Sequence, residues 1–171
     1  MTQLVASMMT PSLSKVPLDH RYFEDYAVGS VVDCGTVTVS ESEIIEFGGR
    51  FDPQPFHANL AAAANGPFGG VIASGWHTGS LMMRLFVQKY ISSVASLGSP
   101  GASELAWPRP VRAGDALRVR VTVLDARPSR SKPDRGLVHS YIEVFNQHDE
   151  TVMTMKVLNM LMCRLPKTPT S

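Results

Sequence analysis

Cysteine is nearly absent: Cys34 and Cys163 are the only two in 171 residues. A small secreted fold stapled by disulfides needs a denser, patterned set, and no Cys/His spacing here resembles a zinc site. Both cysteines sit in apolar stretches, so two buried thiols in a reducing compartment are expected, and no metal centre. Charge of one sign is missing too. The formal net charge of +1 gives no general attraction to nucleic acid or to anionic lipid. No apolar run is long enough for a membrane span, and residues 1–17 carry Lys15 as their sole basic residue, unlike a secretory leader. The reading is of a cytoplasmic chain with no membrane partner. Internal repeats and a second domain are lacking as well.

What is present is a composition, 44% hydrophobic and 18% charged, that suits one folded core. Residues 31–39 favour a strand. Ser40 then reads as a helix N-cap, with Glu43 completing a capping box, Ile44, Ile45 and Phe47 forming an apolar stripe, and Gly48-Gly49 as the stop. Residues 50–68 form a Pro/Gly-rich stretch in which 58–64 can make short helical turns. A long helix is expected from Ser74 or Gly75 to Ser93. It is apolar on most sides, and His77, Arg84, Gln88 and Ser92 form one narrow polar stripe, expected to face solvent or an interface. Residues 95–104 read as a loop. Strands follow at 117–123, 138–145 and 151–164, separated by a polar connection over 127–136 and a turn over 146–150.

Strands gathered after a helix, without alternation of the two, argue for an α+β fold with an antiparallel sheet. A helix apolar on most sides needs that sheet to curl around it, which is the hotdog architecture: a curved antiparallel sheet wrapped around one long central helix. Residues 1–20 are expected to be a flexible arm, 21–165 the domain and 166–171 a tail. One helix cannot cover such a sheet completely, so a homodimer or higher homo-oligomer is expected.

The chemistry centres on Phe51-Asp52-Pro53-Gln54-Pro55-Phe56-His57. Pro53 and Pro55 stiffen the stretch and offer a carboxylate and an imidazole within reach of a shared water. Those are the two groups most readily tuned for proton transfer near neutral pH. The same pattern also fits an ordinary Pro-rich turn. Further on, Gly75 opens the long helix. Its N–H and the positive end of the helix could hold a carbonyl oxygen that becomes negative, or the glycine could simply permit close packing.

Taken together, Asp52-x-x-Pro55-x-His57 and Gly75 at the head of a long helix resemble the MaoC-like (R)-specific enoyl-CoA hydratase family. The segment from Trp107 to Asp115 is similar to that family's link from the post-helix strand into the next. The resemblance covers roughly residues 22–164. It implies a hydratase/dehydratase acting on a 2-enoyl thioester, with Asp52, His57 and Gly75 catalytic and no cofactor beyond the coenzyme A of the substrate. Gln54, Pro55, Phe56, Ser74, Trp76 and Met83 are expected to contact substrate. Gln54 stands where the family usually has asparagine, and Met83 is an apolar residue where a family serine is expected. Arg127, Arg130, Lys132 and Arg135 share one connection, and Arg130 and Lys132 are candidates for the coenzyme A phosphates; a charged hairpin loop is the ordinary alternative. Two other functions fit the same pocket: a thioesterase using Asp52 to activate water, and a non-catalytic acyl-thioester binding protein.

Overall fold

The computed structural model describes residues 13–165. In chain order these form β1 (Val31–Thr38), α1 (Glu41–Phe51), α2 (Pro55–Ala58), α3 (Leu60–Ala64), α4 (Gly75–Lys89), β2 (Gly101–Ala106), β3 (Ala116–Pro128), β4 (Arg135–Phe145) and β5 (Thr151–Met162). Alternation in β3 buries Leu117, Val119, Val121 and Val123 on one face, and β4 and β5 repeat the pattern with Val138, Ile142, Val144, Val152 and Leu161. The strands pair antiparallel in the order β1-β3-β4-β5-β2. Helix α4 meets β1 at one edge as well as β3 and β5, so the sheet bends around it. Register shifts in all four pairings supply local twist for that bend.

Several details differ from the sequence-based expectations. Residues 101–106, inside or just past the expected loop, form the edge strand β2. Its Gly, Ala, Ser and Glu side chains are mostly exposed, so no alternating pattern marks it. Gly48-Gly49 does not stop α1, which runs on to Phe51. Gly48 is buried because the His57 carbonyl occupies the place where a Cβ would stand. The polar connection between β3 and β4 is shorter than 127–136, because β3 runs to Pro128 and β4 begins at Arg135.

Helix α4 ends at Lys89 rather than Ser93 because its last carbonyls have other donors. Arg21 reaches the Tyr90 carbonyl at 2.7 Å, and the Tyr26 hydroxyl reaches the same oxygen at 3.0 Å. Arg21 also binds the carbonyls of Leu13 and Val16, and Ser93 N–H donates to Leu18. The expected flexible arm is therefore packed from Leu13 onward, where Leu13 itself is buried; residues 1–12 and the expected tail, 166–171, lie outside the described residues. Cys34 and Cys163 are buried thiols, and burial pushes the Cys34 thiol up to about 12.

The long helix carries the remaining difference. Its polar stripe is not uniformly open: His77 and Ser92 are buried, while Arg84 and Gln88 are exposed. The open flank is apolar instead, with Trp76 at 62%, Met83 at 42% and Val87 at 51% exposure. Contiguous exposed apolar surface of that kind marks an interaction or binding face more often than plain surface. Among the described residues, no helix is long and apolar enough to cross a membrane.

Candidate active site

Asp52 is the C-cap of α1, and its N–H donates to Gly48 at 2.9 Å. Two residues on, Gln54 is the N-cap of α2 and Pro55 its first residue, a position where proline's missing N–H costs nothing. The single turn of α2 then turns His57 inward, where it is buried. Contact with Gly48 fixes the backbone of His57 against α1. The extended residues 71–74 lie alongside: Ile72 N–H donates to Phe56 at 3.0 Å, and Ala73 N–H donates to Val111 at 2.8 Å.

Every polar atom of the pair has a defined neighbour. His57 Nδ1 lies 2.8 Å from the Ile72 carbonyl oxygen, and its Nε2 lies 3.3 Å from Asp52 Oδ2. A carbonyl oxygen only accepts, so Nδ1 carries a proton and Nε2 is the nitrogen that faces Asp52. On the carboxylate, Oδ1 accepts from Gln54 Nε2 at 2.8 Å, and Oδ2 accepts from the Ser74 hydroxyl at 2.7 Å. The hydrogen bonds from Gln54 and then Ser74, aided by the charge of His57, hold the Asp52 carboxyl below the usual carboxylate value against a smaller desolvation cost.

Gly75 is the first residue of α4, and its N–H has no acceptor among the described residues. A Cβ at this position would fall 2.6 Å from Trp107 Cε2, so only glycine lets the indole lie against the helix start. Asp52, His57, Gly75, Trp76, Trp107 and Arg109 are among the residues lining a cavity of about 360 Å³ at this point. The arrangement brings a carboxylate, an imidazole and an unpaired backbone N–H to one largely apolar space.

Phe56 and Ser74 line the same cavity, whereas Gln54 and Pro55 are exposed and do not, and the Gln54 amide donates to Asp52. Met83 lines a second cavity of about 410 Å³ that shares Trp76 and Trp107 with the first. Arg130 and Lys132 are exposed on the loop between β3 and β4. That loop follows the end of β3, whereas the cavity's Trp107–Val111 wall precedes its start, so neither residue reaches the cavity of its own chain. The sequence reading did not single out Trp107, Arg109, Phe68 or Thr78 as site residues, although all four line the cavity. The alternation of aromatic, proline and arginine in Trp107-Pro108-Arg109-Pro110 was the available signal: a stiff, non-helical segment carrying an exposed ring and a cation.

The fold is that of hotdog proteins. It superposes on a Mycobacterium tuberculosis protein described as having a double hotdog fold, at a TM-score of 0.70 and 19% identity, over 91% of this chain and 48% of that one. Residues 25–142 match the MaoC like domain, and this chain belongs to that family. It is similar to a MaoC-like dehydratase of known structure from Rhodospirillum rubrum, at 40% identity and a TM-score of 0.77, covering 85% of this chain and 99% of that one. It is also similar to a 3-hydroxybutyryl-CoA dehydratase from Methylorubrum extorquens, 32% identical over 116 residues, 65% of this chain and 69% of the relative.

Proposed function

We propose that this chain catalyses the reversible hydration of a 2-enoyl thioester to a 3-hydroxyacyl thioester. The observation that carries the reading is the convergence of Asp52 Oδ2, His57 Nε2 and the unpaired Gly75 N–H on one cavity. In the hydration direction, Asp52 accepts a proton from a water whose oxygen bonds to the β-carbon. The π electrons of the double bond shift toward the thioester, and the oxygen that becomes negative is held by Gly75 N–H and the positive end of α4. His57, protonated at Nε2, gives that proton to the α-carbon. Transfer from Asp52 to His57 across their 3.3 Å contact restores both groups. Dehydration is the same path reversed. Gln54 and Ser74 favour the ionised form of Asp52, which suits it to the role of base.

The second cavity, lined by Met82, Met83, Met153 and Met155 and sharing Trp76 and Trp107 with the first, is apolar and would receive the acyl chain. The thiol carrier, coenzyme A or an acyl carrier protein, would leave by the mouth where Arg109 stands. The open flank Trp76, Met83 and Val87 and the exposed edge of β2 fit coverage by a second copy in a homodimer. A role in fatty-acid metabolism, in the cytoplasm, follows from the same reading.

The test is incubation with crotonyl-CoA and with a longer and a branched 2-enoyl-CoA, following enone absorbance and free thiol together. Loss of absorbance without thiol is the expected result. Thiol release would assign a thioesterase instead, and binding without conversion of any of them would favour an acyl-thioester carrier.

A further inference from the structure

Ser74 is buried to 1% exposure at the junction of residues 71–74 with α4, and its hydroxyl joins Asp52 to the first turn of α4. The hydroxyl oxygen donates to Asp52 Oδ2 at 2.7 Å and accepts from Trp76 N–H at 3.2 Å. The backbone of Ser74 belongs to the same turn, its carbonyl accepting from Thr78 N–H at 3.0 Å. A hydroxyl has a single proton. Here it is directed at Asp52, so Ser74 has none left to give a substrate.

We propose that Ser74 is a positioning residue: it ties the carboxylate of Asp52 to the first turn of α4, so that the base and the oxyanion donor are held in one rigid frame. Two consequences follow from the geometry. Trp76 N–H is satisfied by Ser74, while Gly75, whose N–H has no acceptor among the described residues, is the one that lines the cavity beside Asp52. Asp52 Oδ2 is pinned on the side facing His57, since Gln54 holds only Oδ1. Without Ser74, the carboxylate keeps one fixed oxygen and can swing about it, and the distance from base to oxyanion donor is no longer set. Positional errors of that kind are costly, on the order of 10²-fold for about 1 Å.

The kinetic side of this inference rests on the hydratase reading; the structural side does not. Three variants separate the roles. Ser74→Ala removes both the tether and the cap, Ser74→Gly removes the tether while keeping a residue well accepted at an N-cap, and Ser74→Thr restores a hydroxyl. Asp52 is followed by carbon-13 NMR of its carboxyl as pH is lowered, and turnover is measured on crotonyl-CoA. The expected result is an upward shift of the Asp52 midpoint in the Ala and Gly variants. With it should come a fall of about 10–100-fold in kcat with KM within about threefold, and recovery of both by Thr. An unmoved midpoint in both Ala and Gly variants would overturn the proposal, as would a kcat within twofold of the parent. A fall in kcat confined to Ala and matched only by lost thermal stability would reduce Ser74 to a helix cap. If the parent turns over no enoyl thioester, the hydratase reading fails, and the titration still decides whether Ser74 holds Asp52.

Discussion

His57 Nδ1 lies 2.8 Å from the Ile72 carbonyl, and that contact decides which nitrogen of the ring faces Asp52. Because Ile72 N–H is itself bonded to Phe56, the carbonyl is presented by backbone anchored to the element that carries His57. The ring is thus held by main chain at Nδ1, with Asp52 at Nε2 and the Phe56 ring against it.

Nitrogen-15 NMR of the imidazole ring checks this directly. Nδ1 of His57 is expected to carry the proton that it donates to the Ile72 carbonyl, leaving Nε2 as the nitrogen open to exchange with Asp52. A ring protonated at Nε2 and bare at Nδ1 would remove Nε2 as the nitrogen that exchanges its proton with Asp52.

Gly75 and Trp107 make a second testable pair. In Gly75→Ala the new methyl would meet Trp107, which either shifts the indole or moves the helix start. The expected cost is about 1–3 kcal/mol of stability from overpacking, with a fall in kcat of roughly 10²–10³-fold as the N–H leaves its place. Chemical denaturation and steady-state kinetics measure the two losses. Adding Trp107→Leu is expected to recover most of the stability, because contacting sites are not additive.

His77 gives a prediction about stability and pH. It is 5% exposed, stacked on Phe47 at 4.9 Å, and its Nδ1 is buried with no hydrogen-bond partner among the described residues. Burial lowers its pKa from the usual 6.5, and Glu43 opposes that shift. Below pH 6.5 the unfolded chain therefore takes up this proton more readily than the folded one. The stability contributed by the neutral ring is fully present above 6.5 and is lost as pH falls toward the folded value. Thermal unfolding between pH 7 and 5 is expected to fall less steeply in His77→Phe, which keeps an aromatic ring on Phe47. Parallel curves for parent and variant would contradict it.

Much of this was legible in the sequence, for identifiable reasons. The strands announced themselves through alternation, as in Leu117 to Val123, and the start of α1 through the side chains of Ser40 and Glu43, which form the capping box. Two prolines and a glycine before an apolar helix set where Asp52, His57 and Gly75 stand, but an ordinary turn and a packing glycine fit those local signals too. It was the resemblance of the whole spacing to the MaoC-like family that singled the three out. Long-range contacts were not legible. Gly48 looks like a helix stop until the His57 carbonyl is seen against it, and His77 looks solvated until Phe47 covers it. The edge strand β2 lacks a buried face, so nothing in its side chains distinguishes it from a loop. Arg130 and Lys132 have phosphate-binding chemistry, but composition says nothing of which end of a hairpin faces the site.

The central claim is that Asp52 and His57 together move the protons of hydration. The most direct measurement compares the parent with an Asp52→Asn, His57→Ala double variant on crotonyl-CoA, recording enone absorbance and thiol release together. General acid–base groups contribute about 10²–10⁴-fold each. The parent is expected to consume enone without releasing thiol, and the folded double variant to fall by at least roughly 10³-fold. A double variant that hydrates as fast as the parent would contradict the account.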